Sequence, residues 1–256
     1  MCLALIAILA HPRYPLVIAA NRDEFHARAA DPAHWWTSDL LAGRDRVGGG
    51  TWFGTTRAGR WALITNFREG AARDPGAPSR GGLVTQALSA SGTALAFTAN
   101  ASVEGQRFHG FNLLAGDGAT GAYASNRASG ALALGRGIAG LSNHLLDTPW
   151  PKVVRSKAKL AAALARNDDP LVAAFDLLAD REHASAAALP ATGVSSQWER
   201  ILSPAFIVSP EYGTRCSTVM TIDNTGMARY VERSFDASGN TTGDVEHEFR
   251  VEPIGQ

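Results

Sequence analysis

Cys2 directly follows Met1, and the tetrad Asn21-Arg22-Asp23-Glu24 places an amide, a guanidinium and two carboxylates at consecutive positions. Aminopeptidases remove an initiator methionine when the next side chain is small, and cysteine qualifies. Removal would leave one residue carrying a thiol of ordinary pKa ~8.5 and an α-amine near ~7.7–8.0, a nucleophile with its own base. The chemistry open to such a pair is attack on a carbonyl carbon. Each feature also has a plainer reading. Cysteine is among the most buried residue types, and this one precedes an apolar run. The tetrad reads equally as a solvated strand end carrying an ion pair.

The elements that must position these groups are legible in outline. The apolar runs from Cys2 to Ala10 and from Leu16 to Ala20 flank His11-Pro12-Arg13-Tyr14-Pro15, a pattern that predicts a hairpin of buried strands. Such a hairpin returns the tetrad to the side of Cys2. The stretch from Ala29 to Thr51 follows no periodicity and is expected to be irregular. Arg60 to Asn66 predicts a strand, Gly81–Ala90 and Thr93–Ala99 predict helices, and Phe111 to Gly118 resumes strand and turn chemistry. Helices are expected over Lys152–Arg166 and Pro170–Asp180, the second with proline at its start after Asp168-Asp169. Strands return at Ser217–Asp223, Met227–Ser234 and Val245–Val251. Strands, then helices, then strands indicate an α+β layered fold in one domain over residues 1–256, rather than a doubly wound sheet.

Composition narrows the function. The 256 residues carry a formal net charge of zero, which argues against a nucleic-acid footprint. The opening apolar run has no basic residue ahead of it and falls short of the ~20 residues a membrane span needs, so no transmembrane segment is expected. Two cysteines, Cys2 and Cys216, are too few for a disulfide scaffold and suit a cytoplasmic location. Cys216 reads as structural. Gly48-Gly49-Gly50 lacks the lysine and hydroxyl of a phosphate loop and reads as a flexible turn. The seven histidines show no paired metal spacing, so no metal is expected. Most tryptophans read as core, with Trp35-Trp36 as candidates for an apolar pocket wall.

Further motifs carry a resemblance. They are Asn66 after Leu63-Ile64-Thr65, Gly140-Leu141-Ser142-Asn143, Leu145-Leu146-Asp147-Thr148-Pro149-Trp150-Pro151-Lys152-Val153 and Arg215-Cys216-Ser217-Thr218-Val219. With the tetrad they resemble, over essentially the whole chain, the NRDE family, which includes the transport-and-Golgi-organisation proteins. More distantly the layout is similar to cysteine N-terminal-nucleophile (Ntn) hydrolases of the choloylglycine hydrolase and acid ceramidase type. That resemblance implies a four-layer αββα sandwich, mostly antiparallel, and amide substrates. It implies Cys2 as nucleophile, Asn66 as oxyanion donor, Asn143 as holder of the α-amine and the tetrahedral intermediate, and Arg215 as the charge favouring thiolate. Those hydrolases place an arginine and an aspartate three positions apart on the second strand. Here Glu24 has that spacing only if Asn21 replaces the arginine; otherwise Arg22 keeps its role and Asp23 or Glu24 shifts. The implied reaction is hydrolysis of a small or lipid-like amide through an acyl-thioester, with no cofactor. The alternative is a non-catalytic protein that binds or traffics haem or lipid on the same fold. Oligomeric state is left open.

Overall fold

A computed structural model describes residues 3–70, 74 and 76–251. Strand β1 (Leu3–Ile8) is buried along its whole length because its two faces meet two different cores. Ala4, Ile6 and Ile8 enter one apolar cluster, and Leu3, Leu5 and Ala7 another. Strand β2 (Leu16–Phe25) divides in the same way, Leu16, Ile18 and Ala20 against Val17 and Ala19. The two strands pair antiparallel from Ile8 opposite Leu16 to Leu3 opposite Asn21, forming the expected hairpin.

This hairpin sits inside a six-stranded sheet. Its order is β10 (Gly137–Leu141), β1, β2, β11 (Tyr212–Ile222), β12 (Met227–Phe235) and β13 (Thr241–Arg250). A second sheet runs in chain order through seven strands: β3 (Ala30–Trp35), β4 (Leu40–Asp45), β5 (Phe53–Thr56), β6 (Arg60–Asn66), β7 (Phe111–Asp117), β8 (Thr120–Ser125) and β9 (Ala131–Leu134). The first cluster lies between the sheets, where Ile6, Ile18 and Met220 meet Phe53, Trp61, Leu63 and Leu114. Each outer face is covered by helices. α1 (Gly81–Ser89) and α2 (Ala94–Glu104) set Leu83, Val84, Ala87 and Ala101 against Ala62, Ile64 and Leu113. On the other side α3 (Pro151–Ala165) and α4 (Pro170–Leu178) bring Val153, Leu160, Leu164 and Leu177 onto Leu5, Val17 and Val219. The outcome is the αββα sandwich of the expected α+β class. Helix starts follow local chemistry: Pro170 opens α4, and the carboxylate of Asp169 accepts the Leu171 N–H.

One stretch departs from expectation. Residues 29–51 contain two paired strands, β3 and β4. Their register shifts between Asp31 and His34, and β3 forms the half-exposed edge of its sheet. A bulged edge strand loses the strict in–out alternation by which a strand is recognised. Among the described residues no helix is long and apolar enough to cross a membrane.

Candidate functional site

The tetrad ends β2, and the sheet divides it. Asn21 is fully buried on the helix side, donating through Nδ2 to the carbonyls of Leu178 (2.9 Å) and Ala205 (2.8 Å) and accepting from Ser217 Oγ (2.6 Å). Asp23 is buried as well and accepts from Thr214 Oγ1 at 2.7 Å. Arg22 has the parity of Ala20 and faces the space between the sheets. It is 4 % exposed, its guanidinium lies 4.4 Å from the centroid of the Trp52 ring, and its Nη2 stands 3.7 Å from Asp45 Oδ2.

That side opens into a cavity of about 550 Å³, walled in part by Arg22, Glu24, Arg28, Asp45, Trp52 and Asn66. The end of β2, the β4–β5 turn, the end of β6 and the start of α1 bound it. Arg28 Nε donates to Asp45 Oδ2 at 2.8 Å and lies 3.7 Å from Glu24 Oε2. Burial pulls the Asp45 carboxyl upward, but the Gly48 N–H, the Arg28 guanidinium and the Val47 N–H outweigh it and hold the pKa below the usual value.

Asn66 and Asn143 meet at one edge of this region. Ala4 pairs with Leu141, so Ser142 and Asn143 continue past the start of β1. Asn143 is 4 % exposed and donates through Nδ2 to the Asn66 carbonyl at 3.0 Å. Its own carbonyl accepts the Arg68 N–H at 2.6 Å, and its Oδ1 lies 3.4 Å from Arg68 Nη2. Arg68 forms a buried ion pair with Glu199 of α5 (Ser196–Ile201) at 2.8 Å and lies over Trp150 at 4.7 Å. Glu199 also accepts from Thr192 N (2.8 Å) and Oγ1 (2.6 Å). Sequence reasoning missed Arg68, Glu199 and Trp52. The two-residue distance from Asn66 is the only hint for Arg68, and nothing local marks Glu199.

The other candidates are placed as follows. Cys2 lies outside the described residues; its neighbour Leu3 pairs with Asn21. Arg215 occupies the bulge where the β2–β11 register shifts, and its Nη1 donates to the carbonyls of His26 (2.7 Å) and Phe25 (3.4 Å), beyond the cavity wall. Trp35 sits under the Arg57 guanidinium at 4.1 Å and edge-on to Phe249, while Trp36 Nε1 donates to the Ala42 carbonyl. Neither lines the cavity, whose tryptophan is Trp52. Deeper between the sheets, Glu232 accepts from Ala33 N (2.8 Å) and Thr218 Oγ1 (3.0 Å), with Cys216 Sγ at 3.6 Å. Burial raises the pKa of Glu232, and burial followed by the charge of Glu232 pushes the Cys216 thiol well above its ordinary value. Among the described residues no three His, Cys, Asp or Glu side chains group to hold a metal.

Comparison with known proteins agrees with this architecture. The family model described as Transport and Golgi organisation 2 matches residues 1–237. The Transport and Golgi organization protein 2 homolog of Bos taurus is 34% identical over 262 residues, covering 93% of this chain and 94% of its own. The homolog from Homo sapiens is 34% identical over 244 residues, covering 86% and 87%. Among solved structures, a mutant conjugated bile acid hydrolase from Clostridium perfringens superposes with a TM-score of 0.51 at 9% identity, covering 97% of this chain and 92% of that one. At that identity the likeness shows the fold.

Proposed function

The chain belongs to the Transport and Golgi organisation 2 family, and from that premise we propose that it is an Ntn-type cysteine amidohydrolase. It cleaves a small or lipid-like amide through an acyl-thioester on Cys2. One observation carries this reading. Leu3, the residue bonded to Cys2, pairs with Asn21, the immediate neighbour of Arg22 on the cavity wall. The start of β1 therefore lies beside the strand end that walls the cavity, which supports a nucleophile drawn from the residue before Leu3.

In this mechanism removal of Met1 frees the α-amine of Cys2, which takes the thiol proton, and the thiolate attacks the amide carbonyl. The side-chain amide of Asn66 and a backbone N–H stabilise the oxyanion, each such donor being worth about 2.7–4 kcal/mol. Asn143 holds the ammonium, which protonates the leaving amine as the C–N bond breaks. Water then cleaves the thioester, releasing the acid and restoring the thiol. Arg22 supplies positive charge beside the thiolate. Arg215 holds the chain beyond the tetrad through the Phe25 and His26 carbonyls. The fold shared with a conjugated bile acid hydrolase supports a hydrolytic reading.

The test joins mass spectrometry of the mature N-terminus with labelling by an acyl chloromethyl ketone. The expected result is a chain lacking Met1, labelled on Cys2, with labelling lost in Cys2→Ser and slowed in Asn66→Ala. A free N-terminus whose Cys2 stays unlabelled overturns the reading, and a Soret shift on haem titration of that protein would put binding in its place.

A further inference from the structure

One end of the cavity is built from donors. Helix α1 starts there at Gly81, after the wall residues Ser79 and Arg80. Arg80 occupies the cap position, where its side chain donates to the Gly110 carbonyl at 3.1 Å rather than capping the helix, and the first turn contains no acidic residue. The first N–H groups of a helix lack intrahelical acceptors and carry the positive end of its dipole. Arg28 reaches the same end. A Cβ added at Gly48 would stand 2.6 Å from Ser79 Oγ and 3.3 Å from Arg28 Nη2, so both side chains flank that glycine.

The wall also contains two buried donors that make no hydrogen bond among the described residues, although Arg22 Nη2 stands 3.7 Å from Asp45 Oδ2. They are Arg22 Nη2, in a residue 4 % exposed, and Trp52 Nε1, in one 6 % exposed. Buried donors are satisfied in the great majority of cases, so two on one cavity wall mark the place of an absent acceptor. The acids of the cavity have other partners. Asp45 accepts from Arg28 Nε and from the Val47 and Gly48 N–H groups, Glu24 from the Phe25 N–H, and Asp74 from the Gly76 N–H.

We propose that this cavity holds a small oxyanion group of its ligand, a carboxylate or a phosphate. The group sits at the start of α1 beside Ser79, Arg80 and Arg28 and faces Arg22 and Trp52. The proposal rests on the amidohydrolase reading for the identity of the ligand's other end, giving the amide substrate an anionic terminus. The anion site itself needs neither a free α-amine nor the Cys2 thiol.

The test uses the full chain and its Cys2→Ser variant, titrated with sodium phosphate and separately with sodium acetate at constant ionic strength held by sodium chloride. Tryptophan fluorescence and thermal unfolding are the readouts. A saturable response to at least one anion is expected in both proteins, and the anion that saturates at the lower concentration identifies the group. Arg80→Gln and Trp52→Phe should each weaken binding roughly tenfold, with folding checked by far-UV circular dichroism. Arg57→Gln, whose guanidinium lies on Trp35 outside the cavity, should leave it unchanged. No saturable response above the chloride control overturns the anion site, as does equal binding by folded Arg80→Gln and Trp52→Phe. Because none of these readouts involves turnover, a failure at Cys2 sinks the hydrolase alone.

Discussion

Truncating Glu199 to alanine probes how the edge of the site is held. Its side chain is 4% exposed, and its ion-pair partner Arg68 is 8% exposed at 2.8 Å. Glu199→Ala leaves the guanidinium buried without its anion and also removes the acceptor of two Thr192 bonds. Removing one partner of a buried pair typically costs about 3–5 kcal/mol, because the remaining charge stays desolvated. Arg68 keeps the face of Trp150 and a long contact to Asn143 Oδ1 at 3.4 Å, which places the expected loss near the lower figure. Against a total stability of about 5–15 kcal/mol, and at ~2–4 °C per kcal/mol for a chain of this size, Tm should fall by roughly 6–12 °C. Urea titration at neutral pH, followed by circular dichroism and fluorescence, should show a lower midpoint at unchanged slope. The loss should persist in high salt, since a buried pair is poorly screened. An Arg68→Leu, Glu199→Leu double variant should recover most of the stability by removing both charges. A single-variant cost under about 1 kcal/mol, or a double variant no better than the single, would refute the argument.

Three further outcomes follow from the same structure. Cys216 is 4% exposed with its thiol pKa pushed well up, so iodoacetamide should modify it only after unfolding; rapid alkylation of the native chain would contradict its placement. Glu232 has a raised folded-state pKa, so its contribution is fully present below the unfolded value of about 4.5 and is lost as pH rises through the folded value. Glu232→Gln should therefore gain stability relative to the natural chain as pH is raised across that window, and a pH-independent difference between the two denaturation series would count against it. A Cβ at Gly50 would lie 2.4 Å from the Gly81 carbonyl carbon, so Gly50→Ala should cost about 1–3 kcal/mol by forcing the β4–β5 turn off the start of α1; an unshifted Tm would show that the contact is slack.

The fold was readable in the sequence wherever one local pattern determined an element. The apolar runs around His11–Pro15 could hardly be other than paired buried strands, and Asp169 with Pro170 marked a helix start by chemistry alone. β3 and β4 escaped because a bulge at a half-exposed edge destroys the alternation that announces a strand. The site was readable in part. Asn66 and Asn143 were identified through motifs, and the structure joins them by a single hydrogen bond. The Arg68–Glu199 pair links positions 131 apart in sequence, and no periodicity encodes such a contact. Trp35-Trp36 drew attention as a doublet, yet the cavity takes Trp52, whose ring is pinned where a Gly43 Cβ would be. Close approach of that kind is visible only once the chain is folded.

The division of the tetrad across its sheet changes how damage to it should be interpreted. Asn21 bolts the central strands to the helical layer behind them, Asp23 ties β2 to β11, and the others look the opposite way. An alanine scan through positions 21–24 should therefore zigzag. Substitutions at Asn21 and Asp23 would surface as poor expression and low melting temperature, those at Arg22 and Glu24 as a well-folded chain with altered ligand response. Loss of function after replacing the whole block would thus say nothing about chemistry. Deleting one residue upstream within β2 would be harsher than any single replacement, since the pleat would present each of the four to the wrong side.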